Sequence, residues 1–213
     1  MGIGRNIKSF LANTRIERIG KMKYTDKCFE SIDNKFIYLF MPRNGSQSFR
    51  QCGLFGSPAP RPEKYTDGQK NLIKIIILRE PIERVISIFL YKFKKYEVIE
   101  PFKEFLNKIT KSFTFVYSIG LWNPQYRYLS DKNLTLADIE EVFILENLNN
   151  DIKNFSTKYN LDLDIGHLNQ SNRQKFDTLL QFINDNKDIK NTLTKLYSKD
   201  YELYNSGKTL QNK

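Results

Sequence analysis

The chain has 213 residues, of which 40% are hydrophobic and 14% aromatic, enough to build a packed core and too many for a disordered segment. Its 34 Lys and Arg against 24 Asp and Glu leave a net charge of +10, which draws acidic partners: nucleic acid, an anionic membrane surface or a phosphorylated nucleotide. Two cysteines, Cys28 and Cys52, and one histidine, His167, are too few and too scattered for a disulfide framework or a zinc site, so no metal centre is expected.

The length fits one domain over residues 1–213, with residues 1–30 as an N-terminal helical extension. In residues 1–20, Arg5, Lys8, Arg15, Glu17 and Arg18 interrupt the apolar positions, so no signal-peptide core is present. Ile7, Phe10, Leu11 and Thr14 fall on one face of an amphipathic helix. Nothing approaches the roughly 20 apolar residues of a membrane span, and the chain reads as soluble and cytoplasmic.

The first predicted strand is residues 36–41, an apolar run that suits a parallel strand buried on both faces. A loop and short helix follow over 46–54, then an irregular Pro- and Gly-rich stretch at 56–62. Residues 73–78 form a second strand. Pro81 opens a helix whose buried face is Ile82, Val85, Ile86, Phe89 and Phe93. Pro101 opens another helix through Ile109. A third strand at 142–145 precedes a helix that buries Leu148, Ile152, Phe155 and Tyr159. The last helix carries Ile189, Leu193, Leu196, Tyr197, Tyr201 and Tyr204, with Gly207 as its stop. Strands alternating with helices predict an α/β fold, a central parallel sheet flanked by helices. Ligands of such sheets bind at the strands' carboxyl ends, which directs attention to the residues after Met41 and Leu78.

After the first strand comes Pro42-Arg43-Asn44-Gly45-Ser46-Gln47-Ser48. A tight loop opening a helix gathers backbone N–H groups for a phosphate; Gly45 permits close approach, Arg43 adds a cation, and Ser46 and Ser48 add hydroxyls. The same residues would also make an ordinary strand-to-helix turn with a serine cap. The loop lacks the Gly-Lys-Ser/Thr of a nucleotide-kinase loop; Gly207-Lys208-Thr209 has those letters but lies at the end of the chain. After the second strand comes Arg79-Glu80-Pro81-Ile82-Glu83-Arg84-Val85-Ile86-Ser87. Arg79 with Ser87 suits a second phosphate, against the alternative of an Arg84–Glu80 or Arg84–Glu83 surface network.

Together the two segments resemble the phosphate-binding motifs of the PAPS-dependent carbohydrate sulfotransferases, which use 3′-phosphoadenosine-5′-phosphosulfate as donor. Further segments are similar to that family: Trp122-Asn-Pro-Gln125, Val142-Phe-Ile-Leu-Glu146-Asn-Leu-Asn-Asn-Asp151 over the third strand and its helix, His167-Leu-Asn-Gln-Ser171, and Leu196-Tyr-Ser-Lys-Asp-Tyr-Glu-Leu-Tyr204 in the last helix. The resemblance spans residues 36–204. It implies a P-loop-like sulfotransferase fold and metal-free, in-line sulfuryl transfer from PAPS to a hydroxyl of a carbohydrate-type acceptor, leaving PAP. It also implies the donor site: Arg43, Asn44, Gly45, Ser46, Gln47 and Ser48 around the 5′-phosphosulfate, with Arg79 and Ser87 on the 3′-phosphate. Two positions depart from the family: Arg43 stands where its lysine is expected and Leu121 where its histidine precedes the tryptophan.

A base must take the acceptor's proton. Between the two motifs the carboxylates are Glu63 and Asp67, with Tyr65 between them; of these Glu63 is favoured as the base, against the more ordinary reading of a solvated loop carboxylate. His167 and Trp122 are open to structural or acceptor-binding roles, and the run at 92–95 reads as a solvated helix end. The other readings are a PAP-binding protein of the same fold without turnover, a P-loop-like nucleotide kinase, and a nucleic-acid module suggested by charge alone; no nucleic-acid signature supports the last.

Overall fold

The computed structural model describes residues 27–56, 63–93, 99–111, 123–163 and 173–211. These fall into two compact units: residues 24–80, 124–169 and 199–213 make a sheet unit, and residues 81–123 and 170–198 a helical one. The predicted N-terminal amphipathic helix, most of the loop at 56–62, Lys94 and Lys95, Leu121, Trp122 and residues 167–171 lie outside the described residues.

The sheet has five strands: β1 (Lys27–Glu30), β2 (Phe36–Leu39), β3 (Glu63–Lys64), β4 (Ile73–Leu78) and β5 (Glu141–Ile144), in the order β3-β1-β2-β4-β5. β2, β4 and β5 are parallel, as the apolar runs predict. β1 and β3 extend the sheet antiparallel, so it is mixed rather than wholly parallel. The reason is a hairpin: Ser31 Oγ accepts the N–H groups of Lys35 and Phe36, and Asn34 takes a left-handed φ of 55°, turning the chain straight back from β1 into β2. The extension expected at 1–30 is therefore a strand, not a helix, over Lys27–Glu30.

Strand alternation sorts the core into two layers. Phe36, Tyr38, Ile75, Ile77 and Phe143 face one side, packed with Phe49, Leu148, Ile152 and Phe155. Ile37, Leu39, Ile76, Leu78 and Ile144 face the other, with Tyr128, Leu129 and Tyr204. Phe49 comes from α1 (Ser46–Arg50); Tyr128 and Leu129 from α4 (Arg127–Ser130); Leu148, Ile152 and Phe155 from α5 (Leu148–Tyr159); Tyr204 from α8 (Ser198–Gln211). Asp151 fastens β5 to α5: its carboxylate accepts the Ile144 N–H at 2.7 Å and the Gln211 amide at 2.6 Å. Gly207 does not stop the last helix. It sits inside α8, where a Cβ would meet Leu78 Cδ1 at 2.7 Å and Val142 Cγ1 at 3.1 Å; the glycine lets the helix lie close on the sheet.

The helical unit comprises α2 (Pro81–Lys92), α3 (Ile99–Lys111), α6 (Arg173–Asp185) and α7 (Lys187–Leu196). Ile82, Val85, Ile86, Phe89 and Phe93 are all buried, as helical spacing predicts. Phe89 packs on Phe102 and Phe105 at centroid distances of 4.8 and 5.6 Å, an aromatic cluster in which each ring contributes on the order of 2 kcal/mol by burial. The single helix expected over residues 189–204 is two, α7 and α8, broken at Tyr197.

Candidate functional site

The segment 42–48 leaves the carboxyl end of β2 and enters α1. Four non-glycine residues have positive φ among the described residues: Asn34, Asn133, Asn160 and Arg43. Asparagine tolerates that conformation; arginine does not, so φ 70° at Arg43 costs on the order of 1 kcal/mol. Gly45 follows at φ 72°, where a Cβ would also meet Leu145 Cδ1 at 2.5 Å.

Inside the loop, Asn44 and Ser46 face inward. Asn44 is fully buried, and its amide donates to the Ile77 carbonyl at 2.7 Å and to Gln125 Oε1 at 2.6 Å. Ser46 donates to the Met41 carbonyl at 2.6 Å and accepts from the Tyr38 hydroxyl at 3.0 Å. Burial pushes that tyrosine's pKa up and keeps it a neutral donor. The side chains of Asn44 and Ser46, expected around the phosphosulfate, therefore hold the loop's shape, while Gln47 is exposed and Ser48 buried.

Arg79 stands at the end of β4, the parallel neighbour of β2. Its Nη1 donates to the Arg43 carbonyl at 3.2 Å, so the two motif arginines meet where adjacent strands end. Behind them lies a polar network that the sequence reading did not place in the site. Gln125, fully buried, accepts the Arg79 N–H at 3.0 Å and donates to the Arg79 carbonyl at 2.7 Å, besides accepting from Asn44. The Asp200 carboxylate, 1% exposed, accepts the backbone N–H groups of Gln125 at 2.8 Å and Tyr126 at 3.0 Å. The only advance signal was the membership of both residues in segments that resemble the family; their burial was not readable. Beside Arg79, the Glu80 N–H donates to Glu146 Oε1 at 3.1 Å, Tyr201 donates to the Glu80 carboxylate, and Tyr204 to Glu146 Oε2 at 3.2 Å.

Ser87 and Arg84 belong to α2 in the helical unit and are 2% and 1% exposed. Arg84 Nη1 donates to the Asn123 carbonyl at 2.9 Å, so its guanidinium is buried within the unit rather than lying at the surface.

Glu63 is exposed on β3, the sheet's edge. The register sets it level with Cys28, and Cys28 level with Leu39, so Glu63 is two strands out from β2, roughly 10 Å at sheet spacing. No hydrogen bond or ion pair among the described residues ties its carboxylate to either motif loop. Asp67 opens a 3-10 turn, 2.9 Å from Lys70 and solvated, and Tyr65 is buried in the core. A groove of about 290 Å³ beside Glu63 is lined by Phe29, Glu30, Ile32 and Asn34; it opens at the β1–β2 hairpin, the opposite end of β2 from Arg43. Among the described residues no cluster of His, Cys, Asp and Glu has a metal-binding arrangement, and no helix is long and apolar enough to cross a membrane.

The sequence model of the Sulfotransferase family fits residues 31–205, most of the chain and both arginine-bearing segments. No curated protein and no solved structure matches the chain.

Proposed function

Because the chain belongs to the sulfotransferase family, an enzyme family that moves a sulfuryl group to a hydroxyl-bearing acceptor, we propose that its donor is PAPS and its acceptor a carbohydrate-type hydroxyl. The observation that carries this reading is the meeting of Arg43 and Arg79 at the carboxyl ends of two neighbouring parallel strands, with the strained loop between them. Two arginines and a loop of backbone N–H groups suit a polyanionic nucleotide with phosphate at both ends better than a neutral ligand.

In this reading the Arg43 loop holds the 5′-phosphosulfate, while Arg79 and, on the strength of the sequence motif, Ser87 hold the 3′-phosphate. The acceptor oxygen forms a bond to sulfur as the bond from sulfur to the phosphate oxygen breaks. Arg43 neutralises the charge that grows on that phosphate, a stabilisation worth more in the transition state than before it. The acceptor's proton goes to Glu63, the exposed carboxylate between the two motifs. No metal is assigned a part.

Binding tests the donor. PAP should raise the melting temperature through linkage, and ATP, which has no 3′-phosphate, should raise it less. Equal shifts would remove the second phosphate site. Radiolabelled PAPS with a panel of glycans tests the transfer. Arg43, where the resembled family has lysine, supports a second reading, a PAP-binding protein without turnover. PAP binding with no labelled product on any acceptor would favour it.

A further inference from the structure

We infer that Gln125 is the positioning residue that sets the two arginine loops at their working separation, an inference that rests on the donor reading above. Three of its side-chain bonds reach two different loops. Oε1 accepts from Asn44 Nδ2 in the Arg43 loop and from the Arg79 N–H; Nε2 donates to the Arg79 carbonyl. Both backbone polar groups of Arg79 are thus read by one amide, which fixes the residue's place along and across the strand end. The other hydrogen of the Asn44 amide reaches the Ile77 carbonyl on β4, so the clamp closes on both sides.

Gln125 is itself held by its main chain. Its N–H goes to Asp200 at the start of α8, a carboxylate that also takes the Tyr126 N–H. Gln125 and Asp200 are 0% and 1% exposed, so neither is free to meet a ligand, and their polar groups are satisfied inside the fold. Such buried networks rigidify when complete. The consequence is specific. A nucleotide with phosphates at both ends gains from Arg79 only if that residue keeps its distance from the Arg43 loop; a nucleotide with one phosphate is indifferent to it.

The test compares the full chain with three variants. Gln125→Met keeps the length and removes all three side-chain bonds. Gln125→Glu keeps both acceptor bonds and replaces only the donor to the Arg79 carbonyl. Asp151→Asn perturbs a different buried network, the one fastening β5 to α5, and controls for loss of stability alone. Calorimetry reads the ratio of affinities for PAP and AMP, and hydrogen exchange reads the Arg79 amide. Wild type should prefer PAP. Gln125→Met should lose about tenfold of that preference or more, and its Arg79 amide should exchange faster. Asp151→Asn should melt earlier with the preference intact. A wild-type PAP-to-AMP ratio in Gln125→Met overturns the inference, and if that variant does not fold, the same ratio in Gln125→Glu decides. Absence of any PAP preference in wild type defeats the donor reading instead; unchanged Arg79 exchange in the Gln125 variants then overturns the clamp on its own.

Discussion

The carboxyl ends of β2 and β4 and the edge strand β3 belong to the same sheet and were both expected to carry function, yet they are built differently. At the strand ends, Arg43 and Arg79 are held by a buried chain of hydrogen bonds through Asn44, Gln125 and Asp200. At the edge, Glu63 is exposed on a strand of two residues, its backbone carbonyl approached by the Cys28 thiol at 3.6 Å. A site that must resist the charge of its ligand without moving has to be braced from behind. A base that only receives a proton from a mobile acceptor needs less support. In the proposed reading, the donor half is braced by the fold and the acceptor half is left to the surface.

Arg43→Ala cuts deepest into that contrast. Turnover should fall by about 10²–10³-fold, as for loss of one transition-state donor, while PAP affinity falls less because the loop and Arg79 remain. Normal turnover in this variant would place the phosphosulfate elsewhere. Glu63→Gln keeps shape and removes basicity; turnover should fall about 10²-fold with PAP affinity nearly unchanged. A silent Glu63→Gln leaves the donor half standing and moves the search for the base to Asp67 or His167.

Much of the donor half was legible because its signals are local. The apolar runs at 36–41 and 73–78, Pro81 and the spacing of Ile82, Val85, Ile86 and Phe89 place two strand ends and a helix without tertiary information. Gly45 announced a turn, and its φ of 72° confirms one. What stayed hidden depends on distant partners. β1 and β3 are too short to show a period, and they become strands only by pairing with β2 and with each other. The inward turn of the Asn44 and Ser46 side chains was hidden because their partners, Gln125 and Met41, are brought to them by the fold. Gly207 looked like a terminator because its close neighbours, Leu78 and Val142, lie far away in sequence.

Arg79→Ala should weaken PAP binding by about 2 kcal/mol, roughly 30-fold, the range for a lost charged hydrogen bond, and should narrow the gap between PAP and ATP. A loss shared equally by the two nucleotides would take the 3′-phosphate away from Arg79. Gly45→Ala probes the brace without touching a charge. It forces a Cβ toward Leu145 in a left-handed conformation, so thermal unfolding should show a loss on the order of 2 kcal/mol. An unchanged melting temperature would mean that the loop is softer than its hydrogen bonds imply.

The smallest effect on turnover, none, is expected from thiol reagents, and it bears on whether Glu63 stays at the edge. Cys28 is the strand residue between Glu63 and Leu39, and burial pushes its thiol up to about 12. The sign is that of a group kept neutral by the fold: its contribution to stability is complete below the unfolded pKa and is lost as the pH rises from there toward the folded value. At pH 8 the buried Cys28 thiol stays protonated, so iodoacetamide should leave it and turnover untouched while an exposed thiol is consumed. Cys52, also buried and also shifted upward by that burial, should behave alike. Labelling of Cys28 at the rate of a free thiol would mean that β3 lifts off β1 in solution. Glu63 would then not be pinned roughly 10 Å from β2, and the difference between a fixed donor half and an open edge would be one of motion as well as of contacts. Protection of Cys28 together with a large Glu63→Gln effect would instead require the acceptor to reach out to the edge.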